Sequence, residues 1–407
     1  MPFVLPAEAM TPSLRPARKK ERFPVGMSRV YDRGARTGRI LHGIGLAWWC
    51  RDARPEDRRL SNQLMIYGAY GFTGDLVARH ALDIGIRPLI AGRDPDKTAR
   101  LADELGLDHV CVDIADADAF RDALAHCAAV VNCAGPFLQT WEPVTSACLE
   151  TATHYLDITG EIPVFEGCAR LDAAAEAAGI TIMPGVGFDV VPTDCMASML
   201  RHRLPDATSI TLAFKGMAQA SRGTARTSIP FLAKAPTVRR NGTLTDRKGA
   251  MSAKIDFGDG PERVYAISWG DVATAWYTTG IPNIEVFLKP PPDMVPLLRL
   301  PAPLRGLLMS RIGSVFVRSQ LRRMPSGPDA RQRAKGRCVV LGRAGNERGD
   351  VVELLLETPD GYQLTGALAS VIGGMAADHA LPTGFQTPAR ALGAEFILQF
   401  DGCAMRD

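Results

Sequence analysis

The sequence has little that would mark a metal, disulfide or membrane protein. Its nine cysteines form no C-x-x-C pair and are odd in number, which favours reduced thiols and a cytoplasmic location. The seven histidines have no partner at metal-ligand spacing, so we predict no metal. The apolar runs fall well short of the roughly 18 residues that a membrane span needs. We therefore expect no transmembrane segment.

A strong excess of one charge is also lacking. Residues 1–62 carry 13 Lys and Arg against 6 Asp and Glu, which leaves 34 against 38 and a net −4 for the rest. Because phosphate contacts need a clustered basic face, we predict no nucleic-acid partner. One stretch, residues 299–337, carries ten basic residues and one acid. It either docks an acidic carrier protein or a membrane surface, or it is a solvated helix face.

The first 62 residues are rich in Pro, Arg and Gly and show no sustained period. This composition predicts a disordered extension. Their six acids argue against a mitochondrial presequence. Met65 opens the first strand-like run, so a start codon assigned too far upstream is the alternative.

Short apolar runs alternate with helical segments from residue 63 to residue 195. The predicted strands are 64–67, 87–91, 109–112, 129–133, 155–158 and 180–183. This alternation predicts an α/β domain, a Rossmann-type doubly wound parallel sheet.

Longer alternating strands follow over residues 196–407, such as 209–215, 262–269 and 284–288. We predict an antiparallel α+β domain for substrate binding or dimerisation, with a homodimer left open. It contains a basic helical excursion at about 293–335. Strands at 337–342, 351–357 and 395–400 and a helix at 362–379 complete it.

A glycine-rich turn follows the first strand and leads into a helix. The turn comprises Gly68, Ala69, Tyr70, Gly71, Phe72, Thr73 and Gly74. Glycines let the backbone approach a pyrophosphate, and the helix N-terminus stabilises its charge. We predict that these seven residues bind a dinucleotide, although an ordinary strand-to-helix turn would have the same pattern.

The second strand ends at Arg93, 19 residues after Gly74, where an NAD-binding protein places an acid. A guanidinium there pairs with a 2′-phosphate and selects NADP(H). The alternative is a solvated arginine. Asp113, after the third strand, is placed to accept from the adenine amino group.

The fourth strand ends in small residues, and we predict cofactor contacts there from Asn132, Cys133, Gly135 and Pro136. Since no histidine stands close to Cys133 in sequence, we interpret this cysteine as structural rather than as a nucleophile.

Five ordered motifs together resemble the saccharopine dehydrogenase-like reductases, most strongly over residues 64–195. They are 68–74, 91–93, 132–137, 155–161 and 187–194, and a shorter match follows at 384–388. The turn with Tyr70 and Phe72 is most similar to the trans-acting enoyl reductase branch. The resemblance implies a nicotinamide-dependent reductase in which 155–161 and 187–194 line the cleft.

The catalytic residue stays open. Tyr155, Glu161 and Asp189 are the candidates, with His154 and Tyr277 as further proton donors. Asp157 and Glu161 are alternatively caps of the helix that begins near Pro163, and Asp189 is alternatively a loop-fixing acceptor.

We expect an NADP(H)-dependent oxidoreductase that reduces a C=C or C=N bond in a metabolite or a carrier-bound acyl chain. The alternative is an NADP(H)-binding redox sensor without turnover.

Overall fold

The structure is a computed structural model that describes residues 62–216, 221–223, 235–247, 252–290, 295 and 327–406. The predicted N-terminal extension up to residue 61 and the basic stretch up to residue 326 lie outside the described residues. No helix in the described ranges is long and apolar enough to cross a membrane.

Strands and helices are numbered in chain order. The strands are β1 (Leu64–Tyr67), β2 (Leu89–Gly92), β3 (His109–Cys111), β4 (Ala129–Asn132), β5 (His154–Asp157), β6 (Thr181–Met183), β7 (Ser209–Lys215), β8 (Thr237–Arg240), β9 (Thr243–Asp246), β10 (Ser252–Asp256), β11 (Pro261–Ala266), β12 (Asn283–Leu288), β13 (Arg337–Gly345), β14 (Val351–Pro359), β15 (Gly384–Phe385) and β16 (Ala404–Arg406). The helices are α1 (Phe72–Asp83), α2 (Pro95–Leu105), α3 (Ala117–Leu124), α4 (Phe137–Thr151), α5 (Ile162–Ala169), α6 (Asp172–Ala178), α7 (Val191–Arg203), α8 (Asp271–Thr279), α9 (Ala330–Lys335), α10 (Gly361–Ala377) and α11 (Pro388–Leu392).

The first sheet is parallel throughout, in the order β15-β6-β5-β4-β1-β2-β3. Every residue of β1 is buried, as expected for a central strand with helices on both faces. The chain crosses from one half of the sheet to the other in the connection from β3 to β4, so the switch point lies between the neighbouring strands β1 and β4. The doubly wound α/β fold predicted from sequence is therefore confirmed, and ligands in such sheets bind at this point, beyond the carboxyl ends of the strands.

The second sheet runs β10-β11-β12-β7-β13-β14-β16, and β8 and β9 extend it from β12. Its long pair β13–β14 is antiparallel, whereas β7 and β12 pair in parallel over six residues. The α+β class is confirmed, but the expectation of a purely antiparallel sheet is wrong. Hydrophobic alternation is the same in both pairings, so it does not reveal strand direction.

Helix α10 packs against α1 and β4, although its position in the sequence predicts a place in the second domain. It carries no charged residue and is buried on nearly all sides, as an interior helix is. Two glycines allow the close approach: an added Cβ would lie 2.6 Å from His80 Cδ2 at Gly366 and 2.9 Å from Val131 Cγ2 at Gly373. The C-terminal part of the chain therefore returns to complete the first sheet through β15.

The predicted strand at 395–400 is wrong. Phe396–Gln399 is a 3₁₀ helix with Phe396 and Ile397 buried, and the final strand is β16. A short apolar run does not distinguish a strand from one buried helical turn. The domain boundary near residue 195 stays a prediction.

Candidate active site

The turn between β1 and α1 has the shape and polarity that a pyrophosphate needs. Gly68 has a φ of +77°, and a Cβ there would lie 2.9 Å from Ala134 Cβ. A Cβ at Gly74 would lie 2.5 Å from the carbonyl oxygen of Gly68. The N-cap residue of α1 is Gly71, which provides no capping side chain for the first N–H groups. The turn is therefore a cradle that side chains would fill, next to a helix N-terminus that favours an anion.

The two aromatic side chains of the turn pack against neighbouring residues of the protein. The ring of Tyr70 covers Gly92 so closely that an added Cβ there would collide with it. The ring of Phe72 meets that of Tyr362 edge-on, with the ring centroids 5.1 Å apart. Tyr70 and Phe72 thus anchor the turn to neighbouring elements, while their backbone stays in the cradle.

Two basic side chains lie beyond the end of β2. Arg93 is exposed. Lys97, one helical turn later, lies close enough to repel the Arg93 charge, and its Nζ is 5.6 Å from the Tyr70 ring centroid. Lys97 also pairs with Asp94, with Nζ and Oδ2 2.5 Å apart. Asp113 is exposed and accepts one backbone N–H with Oδ1. The predicted 2′-phosphate region therefore contains a second cation, Lys97, that was not among the residues predicted from sequence.

The loop after β4 is fixed by Asn132, which is fully buried. Its Nδ2 donates to Thr140 Oγ1 at 3.1 Å, and its Oδ1 accepts the N–H of Ala134 at 3.0 Å. The following Gly135–Pro136 peptide is cis. Burial raises the pKa of Cys133 to about 12, which disfavours the thiolate. This agrees with the interpretation of Cys133 as a structural residue.

Glu161 caps a helix, but not the one that follows it in the chain. Its two carboxylate oxygens accept the N–H groups of Phe137 and Leu138, each at 3.0 Å, at the start of α4. It makes no side-chain cap on α5, so the expectation that it caps the helix near Pro163 is wrong. Burial raises the pKa of Glu161, although the two N–H donors lower it. Both carboxylate oxygens of Glu161 are therefore engaged in hydrogen bonds that link the loop after β5 to the loop after β4.

Asp157 and Tyr155 form a second buried link. Asp157 Oδ2 accepts the Tyr155 hydroxyl at 2.6 Å, and Oδ1 accepts the N–H groups of Thr159 and Gly185, each at 2.9 Å. Burial raises the pKa of Asp157 to about 6, against the effect of these donors. Burial and the adjacent carboxylate raise the pKa of Tyr155 well above its usual range. Both side chains fix the loops after β5 and β6.

Asp189 differs from these acids. Its backbone oxygen accepts the indole N–H of Trp269 at 2.8 Å, but its carboxyl has no hydrogen-bond partner in the described part of the chain. The side chain is partly buried, and burial alone raises its pKa to about 7. Its Oδ2 lies 3.5 Å from where a Cβ of Gly160 would be. A carboxyl group with a raised pKa and no hydrogen-bond partner in the described residues is therefore held at the carboxyl ends of β5 and β6.

The two further proton donors from sequence are engaged elsewhere. His154 is the first residue of β5, so it lies at the amino ends of the strands, opposite the candidate site. Its Nε2 lies 2.8 Å from His379 Nδ1. Burial and that neighbouring imidazole lower the pKa of His154 to about 4. The Tyr277 hydroxyl donates to Glu166 at 3.0 Å, and burial raises its pKa to about 12. Neither residue joins the group around Asp189.

Trp269 belongs to this group, although it was not predicted from sequence, whereas Gly160 lies in the segment 155–161 that the family resemblance places in the cleft. Trp269 is 80 residues from Asp189 in the chain, and no local pattern links them. Lys97 could have been predicted, because it follows Arg93 at a helical spacing.

Comparison with known proteins supports the cofactor side of this site. Residues 64–183 match the family described as saccharopine dehydrogenase NADP binding domain, which indicates NADP(H) binding. A saccharopine dehydrogenase-like oxidoreductase of Homo sapiens is 29% identical over 164 residues, covering 35% of this chain and 38% of that protein. A trans-acting enoyl reductase of Mycobacterium leprae (strain TN) is 32% identical over 149 residues, covering 35% of this chain and 36% of that protein. The matches thus span a little over a third of these relatives.

A solved structure extends the likeness of fold. Apo histidine-tagged saccharopine dehydrogenase (L-Glu forming) from Saccharomyces cerevisiae aligns with a TM-score of 0.56 at 12% identity, covering 85% of this chain and 100% of that one. At this identity the likeness shows the fold alone. Residues 64–183 of this chain therefore match the NADP binding domain of saccharopine dehydrogenase, and saccharopine dehydrogenase-like oxidoreductases and trans-acting enoyl reductases are homologues over about a third of the chain.

Proposed function

We propose that this protein is an NADPH-dependent reductase in which Asp189 donates the proton that completes the reduction. The observation that carries the proposal is the Asp189 carboxyl, which has no hydrogen-bond partner in the described residues and a pKa raised to about 7 by burial. A general acid works best when its pKa is near the operating pH. Glu161 and Tyr155 are less suited, because each is already committed to fixed hydrogen bonds.

The cradle residues fit the cofactor. In the proposal, the backbone from Gly68 to Gly74 holds the pyrophosphate, while Arg93 and Lys97 hold the 2′-phosphate. Asp113 accepts a hydrogen bond from the adenine amino group, and the loop from Asn132 to Pro136 borders the nicotinamide ribose. When bound, NADPH supplies a hydride. The chain itself positions the acceptor.

Asp189 supplies the other half of the reduction. The carboxyl releases its proton to the atom of the double bond that does not receive the hydride, and this leaves a carboxylate. Because the side chain is partly exposed, solvent can return the proton. Both electrons come with the hydride, so the protein needs no nucleophile and no metal for this step.

The names of the homologues support the proposed substrate class. The name of the Mycobacterium leprae relative refers to enoyl reduction, which is reduction of a C=C bond. The name of the Homo sapiens relative specifies an oxidoreductase without naming the bond, which leaves C=N as the alternative. We propose a C=C or C=N bond in a metabolite or a carrier-bound acyl chain, acted on in the cytoplasm.

Cofactor preference is tested first. Nicotinamide fluorescence during titration of the full chain with NADPH and with NADH gives both dissociation constants, and Arg93→Ala is measured alongside. We expect tighter NADPH binding in the wild type and a selective loss for NADPH in the variant. Equal affinity for both nucleotides in the wild type would contradict the assignment of Arg93 to the 2′-phosphate.

Turnover is tested with two probes, a short trans-enoyl N-acetylcysteamine thioester and a cyclic imine carboxylate. We expect NADPH oxidation with one of them, and we expect Asp189→Asn to slow it by about 10²- to 10⁴-fold with unchanged NADPH affinity. The wild-type rate should fall as the pH rises above 7, because the donor must be protonated. NADPH binding without oxidation by either probe would overturn the reductase and favour a redox sensor.

A further inference from the structure

Residues 269–271 pack against residues 189–193, the segment that begins with Asp189. The first group links β11 of the second sheet to α8, whereas the second group joins the loop after β6 of the first sheet to α7. We call residues 269–271 the clamp. The two segments are about 80 residues apart in the chain, so tertiary folding alone brings them together. Their contacts fix Asp189 relative to the second sheet.

Trp269 makes the clamp contact nearest to the acid. Its indole N–H donates to the backbone oxygen of Asp189 at 2.8 Å, and its ring packs on Phe214 with centroids 5.4 Å apart. The next residue, Gly270, comes so close that an added Cβ would lie 3.2 Å from Val190 Cγ2. Because the hydrogen bond is made to the backbone of Asp189 itself, it holds the atoms from which the carboxyl group extends.

Asp271 holds the far end of the same segment. Its Oδ1 forms a short hydrogen bond with Thr193 Oγ1, which also donates to the backbone oxygen of Val190 at 2.9 Å. A hydroxyl has one proton, so both bonds form together only when the Asp271 carboxyl is protonated and donates to Thr193. Asp271 is fully buried, and burial raises its pKa well above the usual range. Asp271 is therefore a neutral donor that fastens the start of α7.

We propose that Trp269 and Asp271 are positioning residues that hold the Asp189 carboxyl where it delivers its proton. This inference rests on the reductase function proposed above, and each residue acts through the backbone of the segment it holds. Proton transfer needs the two heavy atoms within about 2.6–3.2 Å of each other, and a displacement of about 1 Å costs about 100-fold in rate. Loss of either contact therefore lowers kcat, whereas NADPH and the substrate still bind.

The first test is Trp269→Phe in the full chain, which removes the N–H donor and keeps an aromatic ring against Phe214. Trp276→Phe is the matched control, because that ring lies on α8 with Arg239 Cζ 5.2 Å from its centroid and takes no part in the clamp. Both changes are made in the wild type and in Asp189→Asn. NADPH affinity and steady-state reduction of the enoyl thioester and the cyclic imine carboxylate are measured for each.

We expect Trp269→Phe to lower the wild-type kcat by about 10- to 100-fold, with unchanged KM and unchanged NADPH affinity. In Asp189→Asn it should change kcat no further, because misplacing the acid has no effect once the acid is absent. A loss of general stability would instead lower activity equally in both backgrounds. The control should behave as its parent in both.

Asp271 gives a second test that does not depend on the folding of Trp269→Phe. Asp271→Ala removes the donor together with Oδ2, which has no hydrogen-bond partner in the described residues. Asp271→Asn keeps an N–H that can donate to Thr193. We expect Asp271→Ala to lower kcat as Trp269→Phe does, and Asp271→Asn to restore most of the wild-type kcat. Equal losses in the two Asp271 variants would overturn its role as a donor.

The outcomes separate the clamp from the reductase. If the wild type reduces a probe and Asp189→Asn slows it, but Trp269→Phe and Asp271→Ala leave kcat unchanged, the clamp is wrong and the acid stands. Equal falls in kcat with and without the Asp189 carboxyl would also overturn the clamp, because they indicate a general structural role. If the wild type reduces neither probe, the reductase is wrong and the clamp falls with it.

Discussion

Replacing Asp189 with asparagine should change how folding stability depends on pH. Burial raises the pKa of Asp189 from 3.8 to about 7, so the folded protein keeps a proton that the unfolded chain has lost. The contribution of this proton to the free energy of unfolding is fully present below pH 3.8 and is lost as the pH rises to about 7. At about 1.36 kcal/mol for each pH unit, the loss would be about 4 kcal/mol for a fully enclosed group. Because the side chain is partly exposed, we expect roughly 2 kcal/mol.

Urea unfolding at pH 4 and at pH 8 measures this effect. At pH 8, Asp189→Asn should have a free energy of unfolding roughly 2 kcal/mol above that of the wild type, and at pH 4 the difference should fall well below about 1 kcal/mol. Asp108→Asn, at an exposed position, serves as the control and should show no such dependence. An equal effect of Asp189→Asn at both pH values would refute the raised pKa.

Three further substitutions test the cradle and the loops. Gly68→Ala should abolish NADPH binding, because the φ of +77° and the 2.9 Å approach to Ala134 leave no room for a side chain; fluorescence titration checks this, with circular dichroism as the control for folding. Lys97→Ala should weaken NADPH binding roughly threefold to tenfold and leave NADH unchanged, and unchanged NADPH affinity would remove Lys97 from the site. Glu161→Gln should lower the free energy of unfolding by about 1–3 kcal/mol in urea, because an amide cannot accept both N–H groups of α4. Full stability in that variant would contradict the cap.

Much of the first sheet was predictable, because its central strands are short apolar runs between helical segments. β15 was not, since two residues, Gly384 and Phe385, carry no periodicity. The place of α10 was also hidden. Its apolar sequence predicts burial, but only the packing of Gly366 and Gly373 against α1 and β4 shows which sheet it covers.

In the candidate site, too, some features could be predicted from the sequence and others could not. Residues that follow strands, such as Arg93 and Asp189, could be predicted because topology fixes where strands end. Their contacts could not be predicted. Glu161 reaches α4, which starts 24 residues earlier, and the indole of Trp269 reaches Asp189 across 80 residues. Hydrogen bonds between distant segments leave no periodic signal in the sequence.

Three of the buried acids have hydrogen-bond partners that give them a structural role. Asp157, Glu161 and Asp194 each accept hydrogen bonds from backbone N–H groups, and so each stabilises the loop it joins. The Asp189 carboxyl is partly buried without such a donor in the described residues, and ionising it near neutral pH therefore costs stability. Asparagine or leucine would avoid that cost. An acid kept where its ionisation destabilises the fold is expected where its proton is used in chemistry.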